Sequence, residues 1–215
     1  IPSVVLKKCI FTLCLPLLLL FESSLNDCVF NDLWKNSYAL PIFKSGSRIS
    51  IKNYRGVCNQ SVAPKIFDDI VSKQLQWKSS SVLSLHQHGF IRGKSTLSNL
   101  LSYYAFINEA FEDKAQIDSI YTDFAKAFDR VNHDILISKL HHLGFHHNTV
   151  RWLYSFLSGR QQQVKIGGFM YQSIDVTSGV PQGSHCAPIL FLLFIVDLGG
   201  DSRNSIRPCK DLQIQ

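Results

Sequence analysis

Three carboxylates, Asp123, Asp129 and Asp134, stand within twelve residues of one another in YTDFAKAFDRVNHD. The β-branched and aromatic run Ile117–Thr122 ahead of Asp123 predicts a strand. Asp123 would then close it, a rigid place from which to present an oxygen ligand to a hard cation such as Mg2+. Asp129 and Asp134 fall where the next helix starts, and they read as residues that cap or open it. A second cluster is SGVPQG, residues 178–183, in which two glycines flank Val-Pro-Gln. Gly and Pro together define a backbone path that a substrate can approach closely, and Gln182 offers both a donor and an acceptor. Without further context, the same six residues read as an ordinary turn.

Basic residues form a third group. Lys44, Arg48, Lys52 and Arg55 lie within FKSGSRISIKNYRG. Arginine can grip phosphate oxygens in pairs and lysine acts as a point charge, so the group could hold a triphosphate. The plainer reading is a solvated loop. His141, His142, His146 and His147 are split by Gly144 and joined by no Cys or carboxylate, so they read as a solvated helix end and loop.

The elements that would position these groups follow from periodicity. Residues 4–21 predict a buried helix. Tyr38–Phe43 reads as a strand, KSGSR as a turn, and 60–77 as a helix with Ile66, Ile70, Val71 and Leu75 on its apolar positions. SSSVLS at 79–84 marks a subdomain edge. Residues 95–112, 133–143 and 148–158 predict helices, the first capped by Ser95 or Thr96. Gln161–Ile166 and Tyr171–Val176 around Gly167–Gly168 predict a hairpin. The run after Pro188 is helix-capable. Irregular alternation with an internal hairpin points to an α+β fold and not to a doubly wound parallel sheet.

Composition agrees with a packed chain: 46% of the 215 residues are hydrophobic and 18% are charged. The net charge of +6 favours a polyanionic partner, nucleic acid first. Six cysteines without a CxxC pair suggest a reduced, intracellular chain with neither a disulfide framework nor a zinc site. The apolar stretch at 9–21 follows Lys7 and Lys8 as in a signal peptide. It is too short for a membrane span and contains Pro16.

In order along the chain, PIFKSGS, NYRGV, QHGFIRGKST, YTDFAKAFDRVNHDIL, SGRQQQVKIGG and TSGVPQGSHCAPILFLLFIVDL resemble the reverse transcriptases of non-LTR, LINE-like retrotransposons, especially the jockey-type group. The resemblance spans residues 2–198. It implies fingers and a partial palm of a right-hand polymerase: an N-terminal helical lead-in at 1–35, fingers at 36–115, palm at 116–198 and a divergent tail at 199–215. It implies RNA-directed DNA polymerase activity on an RNA template and DNA primer with deoxynucleoside triphosphates, two Mg2+ ions in the complete site, no membrane, and a nuclear or cytoplasmic setting without secretion.

Residue by residue, the resemblance makes Asp123 the first catalytic, metal-binding aspartate. Phe128 becomes the bulky residue beneath the incoming sugar. Gln182 and Gly183 belong to the segment against nucleotide and template. Arg55 and Lys44 are matched to residues that hold the triphosphate. Gly56 stands where many relatives have Pro. The Phe/Tyr-Ala-Asp-Asp segment that supplies the other carboxylates is expected soon after FIVDL, and no Asp-Asp pair follows position 69. The expectation is a chain truncated before that motif and inactive by itself, or a non-catalytic nucleic-acid-binding remnant.

Overall fold

A computed structural model of the chain describes residues 2–199. The elements, in order, are α1 (Ser3–Lys8), α2 (Ile10–Asn26), β1 (Asn36–Phe43), β2 (Tyr54–Asn59), α3 (Val62–Ser79), α4 (Thr96–Glu112), α5 (His133–His142), α6 (His147–Leu157), β3 (Arg160–Ile166), β4 (Phe169–Met170), β5 (Ile174–Val176) and α7 (Cys186–Phe194). The expected tail at 199–215 lies outside the described residues from 200 onward. The architecture is mixed α+β. The described residues divide into two compact units, one of 2–80 and 126–194, the other of 81–125 and 195–199. The division between 80 and 81 falls inside the polar SSSVLS stretch.

The first unit holds the sheet, in the order β2-β1-β3-β4, with β5 also paired to β3. β1 and β2 form an antiparallel hairpin in which Phe43 faces Tyr54 and Tyr38 faces Asn59. β1 runs parallel to β3, Asn36 beside Gln161. The turn from β3 to β4 is Gly167–Gly168, with φ of +56° and +89°. Two consecutive positive φ values suit the twist of a tight hairpin, which is why the Gly-Gly pair works there. The returning arm is split: β4 pairs with Lys165–Ile166, and β5 with Arg160–Gln162.

Packing on the helical side starts from aromatic rings. Phe30, Phe67, Trp152 and Phe156 are each fully or almost fully buried. Phe67 stacks on Phe21 at 4.4 Å between centroids and meets Trp152 edge-on at 5.2 Å. The Trp152 indole N–H donates to Ser24 Oγ at 3.0 Å, so this ring is buried with its polar atom satisfied. In α3 the buried positions Phe67, Val71 and Leu75 recur every four residues and form one face, while Ile66 and Ile70 turn outward. α7 packs on both α3 and α5, and its Ile189, Leu190, Leu192 and Leu193 are all buried.

Two expectations are corrected. Residues 3–26 are helical around a break at Cys9, but mostly exposed, with Leu6, Phe21 and Ser24 as the buried positions. An apolar helix presents only one strip to a neighbour. The rest faces outward here, Phe11 being 96% exposed. Ile117–Thr122 is not a strand. A strand is held by a neighbour's hydrogen bonds, and among the described residues none pairs with this segment. Among the described residues no helix is long and apolar enough to cross a membrane.

In the second unit, α4 begins with the capping predicted from sequence. Ser95 Oγ accepts from the Ser98 N–H at 3.1 Å, and Ser98 Oγ accepts from the Ser95 N–H at 2.9 Å. No residue of α4 is buried.

Candidate functional site

The SGVPQG segment packs against the turn Phe128–Arg130 and the edge of β2. Gly179 has φ of +91°, and a Cβ there would lie 2.8 Å from Phe128 O and 2.9 Å from Asp129 Cα and O. The close approach allows two backbone bonds, Gly179 N–H to Val131 O and Val180 N–H to Phe128 O, both 2.8 Å. Ser178 Oγ donates to Asp129 O at 3.0 Å, and His133 Nε2 lies 2.8 Å from Gly179 O. At the other end Gly183 has φ of +110°, and a Cβ there would lie 2.8 Å from Cys58 O. The Cys58 N–H donates to Gln182 O at 2.7 Å. The glycines therefore serve close approach, but the partner is the chain's own backbone.

Gln182 is thus held by its main chain against β2. Its side chain is held as well: Nε2 donates to Asp129 Oδ1 at 3.0 Å. A carboxylate can only accept, so the NH2 group faces Asp129 and the amide oxygen stays available as an acceptor. Asp129 does not cap α5. Asn132 does, its side chain accepting from the Ile135 N–H, while Asp134 sits in the first turn.

Asp129 and Gln182 border a cavity of about 360 Å³, whose wall includes Gly56, Cys58, Arg160 and Ser178. Arg160 is 3% exposed. Its Nη1 donates to Phe156 O at 2.9 Å, and its Nη2 has no hydrogen-bond partner among the described residues. Burial lowers the Arg160 pKa, and the charges of Cys58 and Asp68 oppose the shift. Arginine stays protonated over the working range, so one wall of the cavity carries a cation.

The sequence-predicted residues distribute unevenly. Phe128, Gln182 and Gly183 come together, with Phe128 stacked on Phe191 at 5.1 Å. Lys44 and Arg55 are both exposed on the β1–β2 hairpin, and the Lys44 N–H closes it on Asn53 O at 2.8 Å. Side chains alternate along a strand, so Arg55 lies on the opposite face from the cavity-lining Gly56 and Cys58. Asp123 is exposed in a segment with neither helix nor strand.

The four histidines make local contacts. His146 Nδ1 accepts from the Asn148 N–H at the start of α6, and the His141 and His147 rings stack at 5.9 Å. Among the described residues no three His, Cys, Asp or Glu side chains come together to hold an ion. Sequence reasoning missed Arg160, Cys58 and the role of Asp129. The only available signal was that Asp129 follows directly after Phe128.

Residues 42–214 match the profile of a protein family described as reverse transcriptase (RNA-dependent DNA polymerase). Over 185 residues the chain is 32% identical to a probable RNA-directed DNA polymerase from transposon BS of Drosophila melanogaster, covering 85% of this chain and 20% of that protein. With the same coverage it is 29% identical to the RNA-directed DNA polymerase from mobile element jockey of D. melanogaster. It is 27% identical over 161 residues to the retrovirus-related Pol polyprotein from type-1 retrotransposable element R2 of Popillia japonica, covering 74% of this chain and 22% of that one. The chain spans about a fifth of the length of the curated relatives it matches.

Proposed function

The chain belongs to the reverse transcriptase (RNA-dependent DNA polymerase) family, in its non-LTR, LINE-like branch, and we propose that it forms the fingers (36–115) and part of the palm (116–198) of such a polymerase. The carrying observation is the docking of SGVPQG on Phe128–Val131, which leaves the Gln182 amide oxygen beside a cavity with a cationic wall. In this reading Gln182 and Gly183 lie against the incoming nucleotide and the template. Phe128 sits beneath the incoming sugar and disfavours a ribose 2′-hydroxyl by steric contact. Arg55 and Lys44 are exposed on the hairpin, Arg55 on the face away from the cavity, and are assigned to the triphosphate by the family resemblance alone.

The family reading gives Asp123 as one Mg2+ ligand. The family's further carboxylates would come from a Phe/Tyr-Ala-Asp-Asp segment, and no Asp-Asp pair follows position 69 in this sequence. In this reading the residues described above contribute binding and orientation to nucleotidyl transfer. A nuclear or cytoplasmic setting suits this role.

Two assays on the 215-residue chain test the reading. In primer extension on an oligo(rA)·oligo(dT) template-primer with Mg2+ and dTTP, no product is expected, and clear synthesis would refute the incomplete metal site. By fluorescence anisotropy, binding of the same duplex should weaken steeply with salt, since phosphate contacts release counterions. Undetectable or salt-insensitive binding would remove nucleic acid as the partner. The net charge of +6 also supports a binding remnant without catalysis. Substituting Gln182 separates the two: it weakens dTTP-dependent binding only if the site still receives a nucleotide.

A further inference from the structure

We propose that Asp68, on α3, is a positioning residue that sets Gln182 by anchoring the far end of its loop; the proposal rests on the reading of Gln182 as nucleotide-facing. Asp68 is fully buried. Its carboxylate accepts three hydrogen bonds, from Ser184 Oγ at 3.1 Å, the His185 N–H at 2.6 Å and the Cys186 N–H at 3.0 Å. Ser184 Oγ in turn accepts from the Cys186 and Ala187 N–H groups, both at 3.2 Å. These amides open α7 and have no partner within the helix. A buried carboxylate is unfavourable unless its lone pairs are met, and charge-assisted bonds to backbone N–H groups are among the strongest available. Asp68 and the loop therefore hold each other.

The hold reaches Gln182 over a short distance. The Ser184 N–H donates to Pro181 O at 3.0 Å, closing a turn around Gln182 and Gly183. With Cα atoms about 3.8 Å apart, Gln182 cannot leave the neighbourhood of an anchored Ser184. Gly183, against Cys58 O, removes the remaining slack. Asp68 and Asp69 form the only Asp-Asp pair in the sequence, and both are committed. Asp69 Oδ2 meets Lys73 Nζ at 2.6 Å, and its Oδ1 lies 3.6 Å from His185 Nδ1. The pair works as a clamp on the loop and the start of α7.

The test combines amide exchange with a double-variant cycle in the full chain. Asp68→Asn keeps the shape but discards the charge. It is expected to raise hydrogen exchange at the His185 and Cys186 amides roughly tenfold or more while the chain still melts cooperatively. It should weaken dTTP-dependent binding of the oligo(rA)·oligo(dT) duplex about as much as Gln182→Ala does. The double variant should bind no more weakly than Gln182→Ala alone, because Asp68 acts through that residue. Unchanged exchange at both amides overturns the proposal, as do losses that multiply in the double variant. If Asp68→Asn fails to fold, Ser184→Ala carries the same comparison from the loop side. If Gln182→Ala leaves binding unaltered, the nucleotide-facing reading fails, and exchange at the two amides still decides whether Asp68 holds the loop.

Discussion

Gly179→Ala isolates the close approach on which the loop depends. Two penalties combine at this position. A non-glycine residue in the left-handed region costs about 1–2 kcal/mol. The added Cβ also meets Phe128 O at 2.8 Å and Asp129 Cα and O at 2.9 Å, all backbone atoms that cannot swing aside. Relieving that overlap separates the segments and lengthens the bonds Gly179 N–H to Val131 O and Val180 N–H to Phe128 O. Each is worth about 1 kcal/mol. The total is about 3–4 kcal/mol. Gly168 supplies the control: its φ is +89°, yet a Cβ there meets nothing within 4 Å. Gly168→Ala should cost only the conformational part, about 1–2 kcal/mol. Urea unfolding followed by circular dichroism gives both values. The difference of about 2 kcal/mol corresponds to a gap in Tm of about 4–8 °C for a chain of this size. If the two variants agree within about 0.5 kcal/mol, the loop is not pressed against Phe128–Asp129 and the site as described is wrong.

Phe67→Ala removes a ring that is 1% exposed and touches Phe21, Phe30, Trp34 and Trp152, so it should cost about 3–5 kcal/mol in the same urea assay. Asp129→Ala should free the Gln182 side chain and move its NH2 resonances toward those of an exposed amide in a 15N–1H spectrum; unmoved resonances would contradict the Asp129–Gln182 bond. The Cys186 thiol has its pKa raised well above the ordinary value, first by burial and then by Asp68. The raised pKa keeps it protonated through about pH 8.5, where free thiols ionise. A disulfide reagent should therefore label exposed Cys9 and Cys14 quickly and reach Cys186 only after unfolding, and fast labelling of Cys186 in the folded chain would show that α7 is not packed as described.

Much of the local structure was legible before any tertiary contact was known. Ser95 before Thr96 and the Gly-Gly pair at 167–168 each act within a few residues, so local chemistry decides them. In α3, by contrast, the sequence placed Ile66 and Ile70 with Val71 and Leu75, and the buried face took Phe67 instead of the two isoleucines. The segment 117–122 shows the limit. Its β-branched and aromatic residues are suited to a strand, but pairing needs a neighbour that composition does not reveal. The same limit applied to residues 4–21: apolarity predicted a helix correctly and burial incorrectly, because burial depends on what packs alongside.

The ordered motifs by themselves determined the family. Only the tertiary structure could decide that Gly179 and Gly183 make room for Phe128–Asp129 and Cys58, that Asp129 holds Gln182 and leaves the capping of α5 to Asn132, and that Asp68 anchors the loop from 116 residues away in sequence. The physical reason is the same each time. A hydrogen bond or a close backbone contact depends on distance in space, and its partners carry no mark in the sequence until the core has brought them together.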